Sequence, residues 1–437
     1  MRRFLFLIVA AGAAAGPARA QQPDSSAATT VQVTLDEAIR RALDVQPAII
    51  QAEGAQRNAG ASQRSALGAF LPSLALSGSS SQASANRLNT VTNQIIRDTT
   101  NRTTYNGGIS VNLTLFDGFA RFATRNAASA NAAAADAGYV NQRFQVTLTT
   151  KQLFYNALAT EELVHVAEAQ VRQAQQQMDI AVQKLHAGSA TRSDSLRSVV
   201  DLGNAHLALL QAQANLATAQ ANLGRQVGVD RPVGAVPDSA LAAFPDTTAL
   251  RAEAVAHAPQ VAQADAQAHA AQSQVTVARA QYFPTFTAGY SNGYSGFDAP
   301  WNSTNKYVNN WSLRFSVSLP IFNGFTREQQ LVSADVARDV AVAQAADTRR
   351  LVGAQLTQQI AALQTAYTQI DIATTNVAAT TEDLRVQQER YRVGASTILD
   401  LLTSEANLTT AQTNLVQARF NYNIARAQLE ALVGRTL

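Results

Sequence analysis

Phe116-Asp117-Gly118-Phe119 and Phe322-Asn323-Gly324-Phe325 are one four-residue phrase written twice, 206 positions apart. In front of each lies a two-residue alternation without a fault: Ile109-Ser110-Val111-Asn112-Leu113-Thr114-Leu115 and Trp311-Ser312-Leu313-Arg314-Phe315-Ser316-Val317-Ser318-Leu319. Behind each lies a helical composition, interrupted only by Gly138 from Phe119 to Ala187 and only by Gly353 from Phe325 to Val393. The alternation predicts strands with one apolar face. Each helical stretch is 69 positions, about 100 Å at 1.5 Å per residue.

Working outward, the whole chain of 437 residues is two copies of one unit. Pro47 and Pro259 close helical openings 212 apart, and Phe70-Leu71-Pro72 matches Tyr282-Phe283-Pro284 at the same offset. Beyond the phrase the offset is 206: Gly188 with Gly394, Asp194 with Asp400, Gly228 with Gly434. The first copy therefore carries six extra residues between Pro72 and Phe116, the mark of a surface loop. Thr34-Leu35-Asp36-Glu37 reads as a capping box opening the first copy. Ser77 to Asn106 and Ser291 to Asn310 are rich in Ser, Asn, Thr and Gly and read as exposed loops.

The resulting division is a signal peptide at 1–20, an N-terminal extension at 21–33, a first repeat at 34–228, a linker at 229–245 and a second repeat at 246–437. Within the first repeat, a helix leads to a hairpin at about 72–116, a long helix at 119–187, a tip turn at 188–193 and a helix at 194–228. The second runs likewise: a helix, a hairpin at about 284–322, a long helix at 325–393, a tip turn at 394–399 and a helix at 400–434. Asp194–Val227 and Asp246–Phe283 read as two shorter helices, 34 and 38 positions, stacked back along one long one. Pro232, Pro237 and Pro245 break the linker between them.

Arg2-Arg3, an apolar run from Phe4 to Ala15 and Ala18-Arg19-Ala20 have the plan of a cleaved secretory leader. The run is too short for a comfortable membrane anchor. Removing three arginines from a net charge of +3 leaves a mature chain near zero, without an electrostatic footprint for nucleic acid. No cysteine is present, which excludes disulfide scaffolds, thiolate metal sites, a cysteine nucleophile and an N-terminal lipidated cysteine. No later segment has about 18 consecutive apolar residues, so a membrane location would have to rest on strands. The aromatics agree: residues 282–325 hold 12 of the chain's 28, including both tryptophans, as in the girdles of a transmembrane barrel. The plain alternative is a soluble sandwich edge. Four strands cannot close a barrel, and open edges in hydrocarbon leave backbone groups unsatisfied. Several copies must then join, and this argument admits eight strands in a dimer or twelve in a trimer.

The repeat, the leader, Thr34 to Ala38 with Ala42 to Pro47, the Phe-Leu-Pro approach, the Phe-Asx-Gly-Phe exit and the Tyr391-x-x-Gly394 turn together resemble the TolC family. The resemblance covers essentially the whole mature chain. It implies an α+β membrane protein, with long antiparallel helices in an α-barrel and two hairpins per chain in a trimeric 12-stranded transmembrane barrel. It implies an outer-membrane location extending through the periplasm of a Gram-negative-type bacterium. The expected function is the exit duct of a tripartite efflux or type I secretion system. Expected partners are two further copies, a periplasmic adaptor (membrane fusion) protein, an inner-membrane RND or ABC pump and outer-membrane lipid, with no nucleic acid and no cofactor.

The two tips carry the candidate site. Gly188 and Gly394 stand where a helix end takes a left-handed residue, and Thr191 and Thr397 are each followed three positions on by an acid, Asp194 and Asp400. By themselves these are helix caps. By the resemblance, Asp400 forms a ring at a closed periplasmic mouth, where three carboxylates would favour cations. The family's second acid is Thr403 here, Tyr391 is expected to bond Asp194, and the family's arginine two after the glycine is Ser396. Ala187, Gly188 and Ser189, with Val393, Gly394 and Ala395, are the expected adaptor-docking tips. They also read simply as tight turns.

Enzyme signatures are missing: no G-x-S-x-G, no phosphate loop and no dinucleotide fingerprint occurs. His165, His186, His206, His257 and His269 show no metal-ligand spacing and read as helix-surface residues. The alternative from another class is a trimeric surface structural protein or adhesin with a helical stalk. Strands that interrupt the helices twice at equivalent points suit a tunnel better. A soluble periplasmic coiled coil leaves the aromatic strands without a role.

Overall fold

The computed structural model describes residues 31–83, 86–89, 94–97, 102–237, 243–246, 250, 255–301 and 306–437. The expected leader, most of the extension and parts of the linker and hairpin loops lie outside these residues. In chain order the elements are β1 (Val31–Val33), α1 (Leu35–Val45), α2 (Pro47–Gly68), β2 (Ser73–Ala83), β3 (Asn86–Asn89), β4 (Gln94–Arg97) and β5 (Arg102–Asp117). There follow α3 (Ala120–His186), α4 (Arg192–Gln226), β6 (Val233–Ala235), α5 (Pro259–Ala280), β7 (Thr285–Gly296), β8 (Tyr307–Ser318), α6 (Thr326–Arg392) and α7 (Ile398–Val433).

Each opening segment is broken at its proline where the sequence reads as one helix. Gln46 and Ala258 are extended (ψ 126° and 128°), and Pro47 and Pro259 begin new helices. Proline forces this: its ring disfavours a helical residue in front of it, and the first helical position needs no N–H. The opening capping box is half formed. Thr34 Oγ1 accepts from the Glu37 N–H at 3.4 Å, while the Glu37 carboxylate turns instead to Arg41 at 2.5 Å.

The four long strands form one antiparallel sheet in the order β2-β5-β7-β8. Its registry sets Leu74 opposite Val111, Val111 opposite Tyr290, and Tyr290 opposite Leu313. Side chains alternate faces along each strand. One face therefore carries Leu74, Leu76, Ile109, Val111, Tyr290, Leu313, Phe315 and Val317, with Asn292 and Asn309 among them, and the other mainly Ser, Thr, Asn, Gly and Arg314, with Ala75 and Val308. Leu76 and Phe315 are 82% and 68% exposed, an apolar band with nothing on it. A bulge between Thr114 and Phe116 shifts the alternation by one, so Phe116 meets Phe286 on the apolar side.

Two expected loops are shorter than read. β2 continues to Ala83, β5 begins at Arg102, and β7 and β8 reach Gly296 and Tyr307. Ser and Gly runs sit in these strands because the ladder is made by backbone, and the second face of the sheet asks for polar side chains.

The Asx-Gly-Phe phrase is the corner between strand and helix. Gly118 and Phe119 both take left-handed φ (67° and 70°), as do Gly324 and Phe325 (66° and 64°). A left-handed phenylalanine is strained; edge-on contacts at 5.4 Å with Phe116 and Phe322 hold each one in place. The main-chain N–H groups of Arg121 and Arg327 donate to the side chains of Asp117 and Asn323. Their guanidinium groups donate to strand-end carbonyls, Leu115 and Pro320, at 3.0 Å each. They also lie over the rings of Phe70 (5.1 Å) and Tyr282 (4.1 Å).

Below the corners, α3 and α6 each run 67 residues. Alanine fills eight of the fourteen buried positions of α3, so neighbouring backbones approach closely. Among the described residues α3 packs against α1, α2, α4, α5 and α7, whereas the main helix neighbours of α6 are α5 and α7. Midway, β1 pairs in parallel with β6 and covers Phe154, Leu158 and Leu223, a larger-residue belt in an otherwise alanine-rich stack. No helix among the described residues is long and apolar enough to cross a membrane.

Replacing Arg121 by alanine removes a charged hydrogen bond and a ring contact at once. It should lower unfolding stability by roughly 2 to 4 kcal/mol, read from the denaturant midpoint of detergent-extracted protein. Arg327→Ala should cost less, because Arg121 also ion-pairs the largely buried Asp117 at 3.2 Å, whereas Arg327 faces the neutral Asn323 and pairs with the more exposed Glu328.

Candidate functional site

The far ends of the long helices close with the same hydrogen-bond scheme twice. Ser189 N–H donates to the Lys184 carbonyl and Gly188 N–H to Leu185 (2.9 and 3.0 Å); Ala395 and Gly394 donate likewise to Arg390 and Tyr391 (2.8 and 3.2 Å). This is a Schellman ending, and the left-handed residue it needs is glycine, at φ 74° and 78°. The returning helices then open with complete capping boxes. Asp194 N–H donates to Thr191 Oγ1 at 3.2 Å while Asp194 Oδ2 accepts from the Thr191 main chain at 3.0 Å. Asp400 and Thr397 repeat this at 3.2 and 2.9 Å. The threonine hydroxyls donate to the same carboxylates at 2.8 and 2.7 Å.

These bonds set the electrostatics. The Thr191 hydroxyl and N–H hold the Asp194 carboxyl below its ordinary range, with Arg197 assisting. The Thr397 N–H and hydroxyl do the same for Asp400, with Arg390 nearby. Both groups are ionised at neutral pH. Asp400 is exposed at the tip, and Thr403 is exposed one turn on, its hydroxyl spent on the Leu399 carbonyl at 2.8 Å. Val393, Gly394 and Ala395 are exposed, as are Ala187, Gly188 and Ser189 in the other turn.

Tyr391 is placed differently from the expectation. It is 8% exposed and packs with Leu384, Ile398, Leu401 and Leu408 in an apolar plug between α6 and α7. Burial chiefly, and then the charge of Asp194, push its phenol up. Asp194 is thus near enough to be felt, but among the described residues its hydrogen bonds go to Thr191 and not to the phenol. The group that does touch Tyr391 across the two repeats is Lys184. Its ammonium donates to the Tyr391 carbonyl and lies 3.8 Å from the ring centroid. Sequence reasoning passed over Lys184; the signal was the offset of 206, which sets it on Arg390.

A second acidic pair was also missed. Asp201 and Glu405 lie about two turns behind the tips, with Glu405 Oε1, Asp201 Oδ2 and Gln177 Oε1 all buried without a hydrogen-bond partner. Burial pushes the Glu405 carboxyl up; Gln177 works against this and the Asp201 charge with it. Among the described residues no group of three or more acids or histidines could hold a metal ion.

The sequence model of the family described as outer membrane efflux protein matches residues 38–229 and 250–435. Over 349 residues the chain is 27% identical to the outer membrane efflux protein BepC of Brucella suis, covering 76% of this chain and 73% of that protein. Over 379 residues it is 24% identical to the alkaline protease secretion protein AprF of Pseudomonas aeruginosa, covering 84% and 77%. The fold superposes on the outer membrane protein VceC of Vibrio cholerae with a TM-score of 0.80 at 20% identity, over 92% of this chain and 96% of that one.

A carboxyl whose folded pKa is raised stabilises the fold while protonated. That contribution is complete below the unfolded value, about 4.3, and is lost as pH rises through the folded one. Glu405→Gln should therefore raise the thermal midpoint at pH 7.5 and leave it unchanged below pH 4. The capping acids have the opposite sign. Their lowered pKa values mean that the caps hold above about pH 4 and loosen below it, read as faster amide exchange at Asp194 and Asp400.

Proposed function

The chain belongs to the outer membrane efflux protein family, and from that premise we propose that three copies close into one duct through the outer membrane and periplasm. The family is one of outer-membrane transport channels and not of enzymes, which removes the adhesin reading. The observation that carries the trimeric duct is the sheet: four strands, one face apolar and one polar, with β2 and β8 left as open edges. Three such sheets make twelve strands, within the range of closed barrels. The ~100 Å helices below it continue the same wall.

The repeat supports the closure. Within the chain β5 of the first copy pairs with β7 of the second, so the repeat-equivalent partner of β8 is β2 of the next copy. Val111 opposite Tyr290 translates, by 206 and 212, to Val317 opposite Gly78. In the same way α3 against α5 translates to α6 against α2 of the next copy, a packing that is not among the main contacts of α6 in the described residues of its own chain. The exposed residues agree: Val332, Val336 and Val340 on α6, and Ile50 on α2.

The duct serves an efflux or type I secretion system as its passive last segment. An inner-membrane RND or ABC pump supplies the energy. A periplasmic adaptor joins the pump at the tips through Ala187, Gly188, Ser189, Val393, Gly394 and Ala395, small enough for adaptor helices to come close. The mouth is the ring of Asp400 with Asp194, Tyr391 and Thr403 around it. Three ionised Asp400 carboxylates at a constriction favour cations, and Thr403 leaves one acid ring rather than two.

Native mass spectrometry of outer-membrane protein in mild detergent should give a trimer. Asp400→Asn should reduce its cation preference in planar bilayers. An alanine at Gly118 would press its Cβ to 2.6 Å from the Ala280 carbonyl oxygen, whereas Gly324 has nothing within 4 Å in its own chain. If copies close as proposed, the neighbour covers Gly324, and Gly324→Ala should weaken the trimer as much as Gly118→Ala. A markedly milder effect at Gly324 would count against that closure.

A further inference from the structure

Lys184 and Arg390 occupy the same place in the two repeats, 206 positions apart, each two residues from its helix end. Lys184 reaches out of its own repeat. Its ammonium donates to the carbonyl of Tyr391, in the last turn of α6, and rests on the face of that tyrosine's ring. Carbonyls at a helix C-terminus carry the negative end of the helix dipole, and an ammonium over a ring adds a cation–π attraction. Among the described residues no carboxylate pairs with Lys184. This contact therefore ties the tip of α3 to the tip of α6 and has no other visible use.

Among the described residues Arg390 makes no such contact with the other repeat. It turns back over its own turn, its guanidinium 3.4 Å from the Ala395 carbonyl, a weak and exposed bond. The residue that corresponds to Tyr391 in the first repeat is Leu185. Translating the observed contact by one repeat sends Arg390 to the Leu185 carbonyl of a neighbouring copy.

We propose that Lys184 and Arg390 are the positioning residues of the mouth, two cationic clamps that alternate around it. Lys184 fastens α3 to α6 within each subunit, and Arg390 fastens α6 to the Leu185 end of α3 in the next. The proposal rests on the trimeric duct and adds to it what holds the helix tips together. Arginine fits the junction between subunits because its five N–H donors can bridge from its own turn to a second carbonyl. The clamps use carbonyls and a ring face as their acceptors, so neither ties up the Asp400 carboxylate in a hydrogen bond, although the Arg390 charge is felt there.

The chain has no cysteine, which makes engineered pairs clean reporters. Oxidation of trimeric Leu185→Cys/Arg390→Cys should produce chains linked to one another on a non-reducing denaturing gel. Lys184→Cys/Tyr391→Cys should link within one chain and stay at monomer size. In planar bilayers Lys184→Met and Arg390→Met should each raise the closed-state conductance, while Lys184→Arg should restore the wild-type value. A merely structural lysine would not be rescued in conductance by arginine alone. Trimers in which the Leu185/Arg390 pair links within single chains, or not at all, would overturn the clamp between subunits. Unchanged conductance in both methionine variants would overturn the clamps and leave the duct standing. A wild-type protein that is not a trimer would instead remove the reading beneath them.

Discussion

Hydrocarbon offers no hydrogen bonds, so every backbone N–H and C=O within a membrane must find its partner in protein. In this chain that rule falls on two strands. β2 and β8 flank a sheet whose apolar face is fit for lipid, and each presents an unpaired edge. An exposed edge above an apolar band invites association. The duplicated sequence would make the association we propose specific, because the edges are the two halves of a pairing already made once between β5 and β7. Everything below the sheet inherits the same geometry. The corners at Gly118 and Gly324 turn each strand pair into a helix, the arginines at 121 and 327 brace those corners, and the helices continue the wall downward.

The same economy governs the helices. Alanine-filled contacts let backbones come near and leave little large-apolar core, apart from the belt around β1 and β6 and the plug at Tyr391. Stability is thus spread along about 100 Å of helix pairs, rather than concentrated in one globular centre. The two tips differ in this respect. Where the second has Leu384, Tyr391, Ile398 and Leu401 packed together, the first has Met178, Leu185, Arg192 and Ser195 at the equivalent places. Only one hairpin tip carries its own apolar plug.

Much of this was legible before any coordinates. Period-two alternation, the Asx-Gly-Phe phrase and the uninterrupted helical composition each report a local rule, and local rules survive folding. Glycine followed by Thr-x-x-Asp likewise spelled the tip turns, down to the carboxylate that returns to Thr191. The missed features are those in which a residue acts on something distant in sequence. Ser77 to Ala83 looked like a loop because strand membership there is decided by the partner's backbone, not by the side chains. The expected bond from Tyr391 to Asp194 came from the family resemblance, whereas in this chain burial between α6 and α7 engages the tyrosine ring and leaves its carbonyl to Lys184. Arg121, Lys184 and their counterparts were overlooked because a lone cation in a helix usually means solvent. Aligning the halves of the chain on one another would have marked them as pairs.

The closure of each tip is entirely local. Its backbone bonds are made within one turn and the first turn of the next helix, and none reaches into another hairpin. Moving one hairpin against the other would therefore break side-chain contacts, the Lys184 bond to the Tyr391 carbonyl among them, and leave the backbone bonds of both turns intact. Folding and opening are then separate transitions with separate free energies. In the duct we propose, a barrier to opening would rest on a handful of side-chain contacts, and it could drift through evolution, lighter or heavier, while the thermal stability of the wall stayed where it was.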